Sequence, residues 1–366
     1  MDKIRIVVVD DSAFMRKAIS DMIEAEKDFE VIAKLRDGRE LIEKVDKYNP
    51  DLITLDVHMK DLDGLATLKE MKRLDKSYPV LMVSSATTEG SELTLECLDN
   101  GAISFITKPS GSISLDIMKV QKNLVEEIRS ITSNVKPKRK FNSVDNSNVK
   151  VNNNVTASNT FGVREKSVSS SWAMPRNKKI EAVVIGASTG GPKALQEVLT
   201  KLPGNLGVPV FVVQHMPEGF TKVFSERLDK ACEMKVVEAA EGMRIDKDTI
   251  YIAKGGRHMT VGANNVIRLN EEPPIWGVRP AVDKLFNSAI NIYGGNLVSA
   301  ILTGMGRDGA DGTSNIKDSG GITISEDKST CTIYGMPKAA FETGKVDLVA
   351  PLNEIAGNII KIVKGA

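Results

Sequence analysis

Between residues 4 and 131, short β-branched apolar runs alternate with amphipathic segments five times over, and a similar alternation restarts at residue 182. In the first half the apolar runs are 4–9, 31–33, 52–55, 80–83 and 105–107, with helix-like stretches such as 13–24, 41–47 and 66–74 between them. Alternation of this kind builds a parallel sheet covered by helices on both faces, because each parallel return needs a crossover. The second half repeats the theme with runs 182–185, 210–214, 297–302, 322–325 and 348–350 and helix-like segments 193–202, 220–232, 281–292 and 309–319. Residues 236–270 break the rhythm with short strands and turns punctuated by Gly242, Gly255-Gly256 and Gly262. The expected architecture is α/β throughout: an N-terminal flavodoxin-like (βα)5 domain over 1–131, and a doubly wound parallel-sheet domain over 180–366 with a small β-rich insertion.

Between the two lies a stretch, 132–179, of Asn, Ser, Lys and isolated Val, including Val151-Asn152-Asn153-Asn154. It has too few apolar residues to offset the entropy of ordering, so it is expected to be a flexible linker. Its cluster Lys136-Pro137-Lys138-Arg139-Lys140 fits a solvated linker, and a net charge of +1 gives no field for nucleic acid or an anionic membrane. Three cysteines without CxxC spacing argue against a disulfide or zinc framework, and no apolar run approaches the roughly 18 to 20 residues of a membrane span. A cytoplasmic protein without stable membrane insertion is expected.

In parallel sheets active groups collect at the carboxyl ends of the strands. In the first domain those ends carry Asp10-Asp11, Asp56, Ser84 and Lys108-Pro109. Any one of them alone reads as a strand cap, but together they make a site. Clustered carboxylates need a cation, and the hard ion suited to carboxylate and phosphate oxygens is Mg²⁺. Asp56 can then attack a phosphoryl donor while Ser84 and Lys108 hold the transferred oxygens. Through Val9-Asp10-Asp11-Ser12, Asp56-Val57-His58-Met59, Asp63-Gly64-Leu65, Ser84-Ser85-Ala86 and Phe105-Ile106-Thr107-Lys108-Pro109, residues 3–128 resemble the receiver domain of response regulators. The resemblance implies Asp56 as phospho-acceptor, Asp10, Asp11, Asp56 and the His58 carbonyl around Mg²⁺, and Ser84, Phe105 and Lys108 as the readout group. Lys60 departs from the proline common in that loop.

The second domain opens with Val183-Val184-Ile185-Gly186-Ala187-Ser188-Thr189-Gly190-Gly191-Pro192. A strand, a glycine-flanked hydroxyl and a proline suited to a helix start place Ser188 on a sharp turn, where free N–H groups can stabilise an oxyanion. The turn around Ser188 itself carries neither GxGxxG nor GxxxxGK[ST], which weakens a nucleotide-cradle reading there. Of three histidines, His58 belongs to the first site and His258 to the β-rich segment, whereas His215 follows a strand of the same sheet as Ser188. Asp308 follows another strand of that sheet and can orient the imidazole, with Asp311 as a nearby competitor.

These motifs, with Gln214-His215-Met216, Gly255-Gly256-Arg257-His258-Met259, Arg279-Pro280-Ala281-Val282-Asp283 and Thr303-Gly304-Met305-Gly306-Arg307-Asp308-Gly309, resemble the catalytic domain of the chemotaxis protein-glutamate methylesterases, the CheB family. A receiver in front of that domain is the family's arrangement. By resemblance Ser188 is the nucleophile, His215 the general base and Asp308 its orienting carboxylate, with Thr189 and Met305 supporting the oxyanion. Lys254 departs from the usual proline of its loop. The implied activity is hydrolysis of glutamate γ-methyl esters on methyl-accepting chemoreceptors, with deamidation of glutamine by the same acyl route, no cofactor for hydrolysis, and a chemotaxis histidine kinase as phosphodonor. A receiver on a tether is further expected to obstruct the catalytic edge until phosphorylated. A non-enzymatic adaptor and a DNA-binding regulator are the competing classes, but Ser188, His215 and Asp308 are all present and no helix-turn-helix pattern or basic stripe is.

Overall fold

The computed structural model describes residues 3–85, 87–108, 114–134 and 178–365. Most of the expected linker therefore lies outside the described residues. The N-terminal sheet contains β1 (Ile4–Val9), β2 (Phe29–Leu35), β3 (Leu52–Asp56), β4 (Val80–Ser84) and β5 (Ser104–Thr107), all parallel, in the order β2-β1-β3-β4-β5. Helices α1 (Ala13–Glu24), α2 (Gly38–Tyr48), α3 (Gly64–Arg73), α4 (Thr88–Asp99) and α5 (Ser114–Asn134) cover it. Every residue of β3 and β4 is buried, which is why those strands read as continuous apolar runs rather than alternating ones. The first four helices start on side-chain caps: Ser12, Asp37, Asp63 and Thr87 accept from the N–H groups of Met15, Glu40, Ala66 and Gly90.

The C-terminal sheet has seven strands in the order β14-β13-β12-β6-β7-β9-β8, again parallel. They are β6 (Ala182–Ala187), β7 (Val210–Gln214), β8 (Lys235–Glu238), β9 (Thr249–Ile252), β12 (Leu297–Ile301), β13 (Ile322–Glu326) and β14 (Leu348–Ala350). Packed on this sheet are α6 (Gly191–Leu199), α7 (Phe220–Ala231), α8 (Val282–Tyr293), α9 (Ala310–Asp318), α10 (Met336–Glu342) and α11 (Leu352–Lys364). The β-rich segment is divided: β8 and β9 extend the main sheet, and only the antiparallel hairpin β10 (His258–Gly262) with β11 (Val266–Asn270) stands apart. From β6 the chain builds outward through β7 to β9 and β8, then returns to the other side of β6 with β12. That reversal beside β6 is a topological switch point, the place where open α/β sheets bind ligands.

Candidate active site and the receiver that covers it

At the carboxyl edge of the first sheet, oxygens of Asp10, Asp11 and Asp56 lie within 4.8 Å of one another. Asp10 and Asp56 are buried, and Lys108 reaches both, with Nζ 3.0 Å from Asp10 Oδ2 and 2.8 Å from Asp56 Oδ2. Burial pushes the Asp56 carboxyl up to about 6, against the pull of Lys108, and the nearby Asp10 charge adds to the rise. Among the described residues those same two oxygens have no other partner, so a hard divalent cation fits the donor set. His58 lies on the following loop, its N–H 3.3 Å from Asp56 Oδ1. Ser84 ends β4, but its hydroxyl is taken up by α4, through Thr94 Oγ1 at 2.6 Å and the Gly90 carbonyl at 3.2 Å. The ring of Phe105 stacks on Phe220 of the second domain.

In the second domain β6 delivers Ser188, β7 delivers His215 and the turn after β12 delivers Asp308. His215 Nε2 lies 2.8 Å from Asp308 Oδ2, leaving Nδ1 as the ring nitrogen able to take a proton. Asp308 is buried and also accepts the N–H groups of Val282 at 2.6 Å and Asp283 at 2.9 Å. Burial opposes its ionisation, yet the His215 contact and these two donors outweigh burial and hold the carboxyl below its ordinary range. Asp311, the competitor, is bound to Arg307 at the surface. Ser188 is half-buried, and its Oγ has no hydrogen-bond partner among the described residues. The turn holding it needs glycine: Gly190 has φ 79°, and a Cβ at Gly304 would fall 2.7 Å from Ser188 Cβ. Pro192 occupies the first turn of α6, as expected. Among the described residues the amides of Thr189 and Met305 donate to no protein group, which leaves both free for an oxyanion.

His258 is fully buried at the start of β10, where Nδ1 accepts from the Ala281 N–H and Nε2 faces the Pro273 carbonyl at 3.1 Å. Burial lowers its pKa, and both ring nitrogens are engaged, so it supports the loop before α8. Several supporting residues carried no separate signal in the sequence. Gln214 Nε2 donates to the carbonyls of both Ser188 and His215 at 3.0 Å, tying nucleophile turn to imidazole. Glu326, buried on β13, accepts from Thr303 N–H at 2.7 Å and so braces the Gly304–Met305 turn. Their strand-end positions were visible, but their partners depend on strand order.

The receiver lies across this site. A cleft of about 70 Å³ is lined on one side by Leu98, Phe105 and Glu127 and on the other by Ser188, Thr189 and His215. The Phe105 ring stacks on Phe220 of α7 with centroids 4.6 Å apart, a contact worth roughly 0.5–1.5 kcal/mol beyond burial. Beside it, Arg227 of α7 pairs with Asp99 of α4, both partly exposed and so worth at most about 1 kcal/mol. Glu127 of α5 is bonded to Thr189 through Oε1 and Oγ1 at 2.9 Å. The covering face is thus built from α4, β5 and α5.

A hydroxyl, an imidazole and a buried carboxylate on three neighbouring strand ends, beneath a domain with a clustered-aspartate edge, define a hydrolase governed by a response-regulator receiver. The family profile for the CheB methylesterase matches residues 183–359, and that for the response regulator receiver domain matches residues 6–118. A protein-glutamate methylesterase/protein-glutamine glutaminase of Clostridium acetobutylicum is 49% identical over 365 residues, covering 100% of this chain and 99% of the relative. One from Oceanobacillus iheyensis, with the same name, is 43% identical over 99% of each chain. The crystal structure of the Thermotoga maritima CheB methylesterase catalytic domain matches 50% of this chain and 100% of its own, at 42% identity and a TM-score of 0.50. The chain belongs to the CheB methylesterase family.

Proposed function

We propose that this chain is a phosphorylation-activated protein-glutamate methylesterase, organised as a receiver over 1–131, a linker over 132–179 and a catalytic domain over 180–366. The observation that carries the reading is the His215–Asp308 pair at the strand end next to Ser188, in a chain with full-length relatives of that name. Ser188 Oγ attacks the γ-carbonyl of a methylated glutamate while His215 Nδ1 takes its proton. Asp308, held ionised, stabilises the imidazolium that forms. The amides of Thr189 and Met305 receive the oxyanion. The tetrahedral intermediate collapses with breakage of the C–O bond to the methoxy group, and His215 gives its proton to that leaving oxygen, releasing methanol. Water, deprotonated by His215, then cleaves the acyl–Ser188 bond to give glutamate. A glutamine substrate follows the same route with ammonia as leaving group. The chemistry needs no cofactor.

In the receiver, Asp56 is the acceptor of a phosphoryl group from a histidine kinase, and Asp10, Asp11, Asp56 and the His58 carbonyl would hold Mg²⁺. When bound, the ion neutralises the carboxylates and the incoming phosphoryl oxygens. Lys108 and Ser84 take the phosphoryl oxygens, which requires Ser84 to leave Thr94 and Gly90. Phe105 adjoins that readout and stacks on Phe220, so reorganisation there loosens the cover over Ser188. Chemoreceptor substrates and a cytoplasmic location belong to the same proposal; no helix among the described residues is long and apolar enough to cross a membrane. The test is methanol release from a γ-methyl-glutamyl protein. Ser188→Ala should reduce it by several orders of magnitude, because triad members act as a unit, and near-normal release would refute the mechanism.

A further inference from the structure

Ile275 and Val278 exchange both backbone hydrogen bonds, at 3.2 and 3.0 Å, around a two-residue turn. Its central residues, Trp276 and Gly277, have φ of 54° and 82°. A turn with both central residues left-handed strongly favours Asn-Gly or Gly-Gly, and a bulky aromatic in the first position is strained. The fold alone would therefore select asparagine here. Strain of this kind persists only where surrounding contacts over-determine it, and it concentrates at functional sites.

The contacts that hold Trp276 lead to the catalytic carboxylate. Its indole Nε1–H donates to Asp283 Oδ2 at 3.0 Å, and the Asp283 N–H in turn donates to Asp308 Oδ1 at 2.9 Å. Asp283 Oδ1 accepts from the Gly312 N–H at 2.7 Å, anchoring the start of α9. Over the indole face sits Arg307, its Cζ 4.6 Å from the ring centroid, and Arg307 directly precedes Asp308 in the chain. Although tethered this tightly, Trp276 remains 52% exposed, as does the Arg307 side chain. Neither residue lines the cleft under the receiver.

We propose that Trp276 and Arg307 form a docking ledge for the polypeptide flanking the esterified glutamate. Resting on the methylesterase reading above, the proposal adds the residues that select protein over small ester. The exposed indole takes the aliphatic part of a flanking side chain. The guanidinium, now shared with Asp311, takes a neighbouring carboxylate, since its planar fork suits that partner. A rigid aromatic beside an arginine is the composition of an interaction hot spot, and the side-chain freedom lost on binding is small because Trp276 is already fixed.

The experiment uses the full chain with a small acyl phosphate and Mg²⁺. Two esters are compared: a glutamyl γ-methyl ester within a peptide rich in glutamate, and the N-acetylated amino-acid γ-methyl ester alone. Trp276→Asn, which suits the turn, should lower the ratio of kcat/KM for peptide over small ester about tenfold or more, mainly through KM. Arg307→Gln should lower that ratio for a glutamate-flanked peptide but not for a glutamine-flanked one. An equal loss on both esters would make Trp276 merely a prop for Asp308, and no loss on either ester would remove the ledge altogether. Binding supplies a readout independent of turnover: with Trp172→Phe as background, peptide should change the fluorescence of the remaining Trp276. No change on saturating peptide would overturn the ledge even in an active enzyme. Failure of the wild-type chain to hydrolyse either ester, with the fluorescence change intact, would instead refute the methylesterase reading.

Discussion

Glu127 Oε1 of the receiver lies 2.9 Å from Thr189 Oγ1, on the residue next to Ser188, so a carboxyl group of one domain is fastened to the nucleophile turn of the other. Glu127 is half-buried at this junction, and its second oxygen is shielded from solvent with no hydrogen-bond partner among the described residues. Burial raises its pKa, the Thr189 and Ser104 hydroxyls pull the other way without compensating, and the neighbouring Glu126 charge adds to the rise. The docked receiver therefore holds the Glu127 proton more tightly than an ordinary carboxylate would.

The pH consequence has a definite sign. Release exposes Glu127 to water and returns it to the ordinary carboxyl range, so the docked state binds the proton more tightly than the released one. Docking is strongest below that ordinary range. It weakens, by up to about tenfold per pH unit, as pH rises toward the raised docked value, and is flat above it. Resting activity of the unphosphorylated wild type, divided by that of Glu127→Gln at each pH, should climb across that window. A flat ratio would show that Glu127 carries no proton linkage.

The aromatic stack makes a second prediction. Phe105→Ala removes the ring that lies against Phe220 while leaving the Asp56 edge in place. Losing roughly 1–2 kcal/mol of docking should raise resting methanol release by about 5- to 30-fold and shrink the further gain on phosphorylation. Equal resting rates in wild type and variant would mean that the stack does not hold the domains closed.

Gly304 tests the packing behind the nucleophile. A Cβ there would fall 2.7 Å from Ser188 Cβ and 2.5 Å from the Met336 sulfur, so Gly304→Ala must displace the Ser188 turn or the Met305 amide. The cost is about 1–3 kcal/mol of stability from overpacking, visible as a lower melting temperature. Hydrolysis should fall further than stability, by roughly 100-fold, because a shift near 1 Å at the reacting atoms suffices for that.

Much of this was legible from strand-end positions. The alternating runs placed Asp10, Asp56 and Lys108 on one edge and Ser188, His215 and Asp308 on another, because parallel topology alone sends every strand's carboxyl end the same way. His258 lies off that edge in the β-rich segment, and its buried ring is engaged at both nitrogens. Trp276 was not legible, because a turn of two left-handed residues is normally signalled by Asn-Gly and here reads Trp-Gly. Glu127 was invisible for another reason: on α5 it looks like one more helix-surface carboxylate, and only docking of the two domains buries it. Residues 236–270 look like one insertion in sequence because short strands look alike whether they extend a sheet or pair locally. Their partners, β7 for β9 and β9 for β8, are non-local.

Phosphorylation control of methanol release is the most direct test of a receiver-covered esterase. The initial rate should be measured for the full chain on a γ-methyl-glutamyl protein, before and after adding a small acyl phosphate with Mg²⁺, beside Asp56→Asn treated identically. A shift of 2–3 kcal/mol in docking predicts a rise of roughly 30- to 150-fold for the wild type, and no rise for Asp56→Asn. A wild-type rate that does not change with phosphodonor, or one that rises equally in Asp56→Asn, would contradict the account.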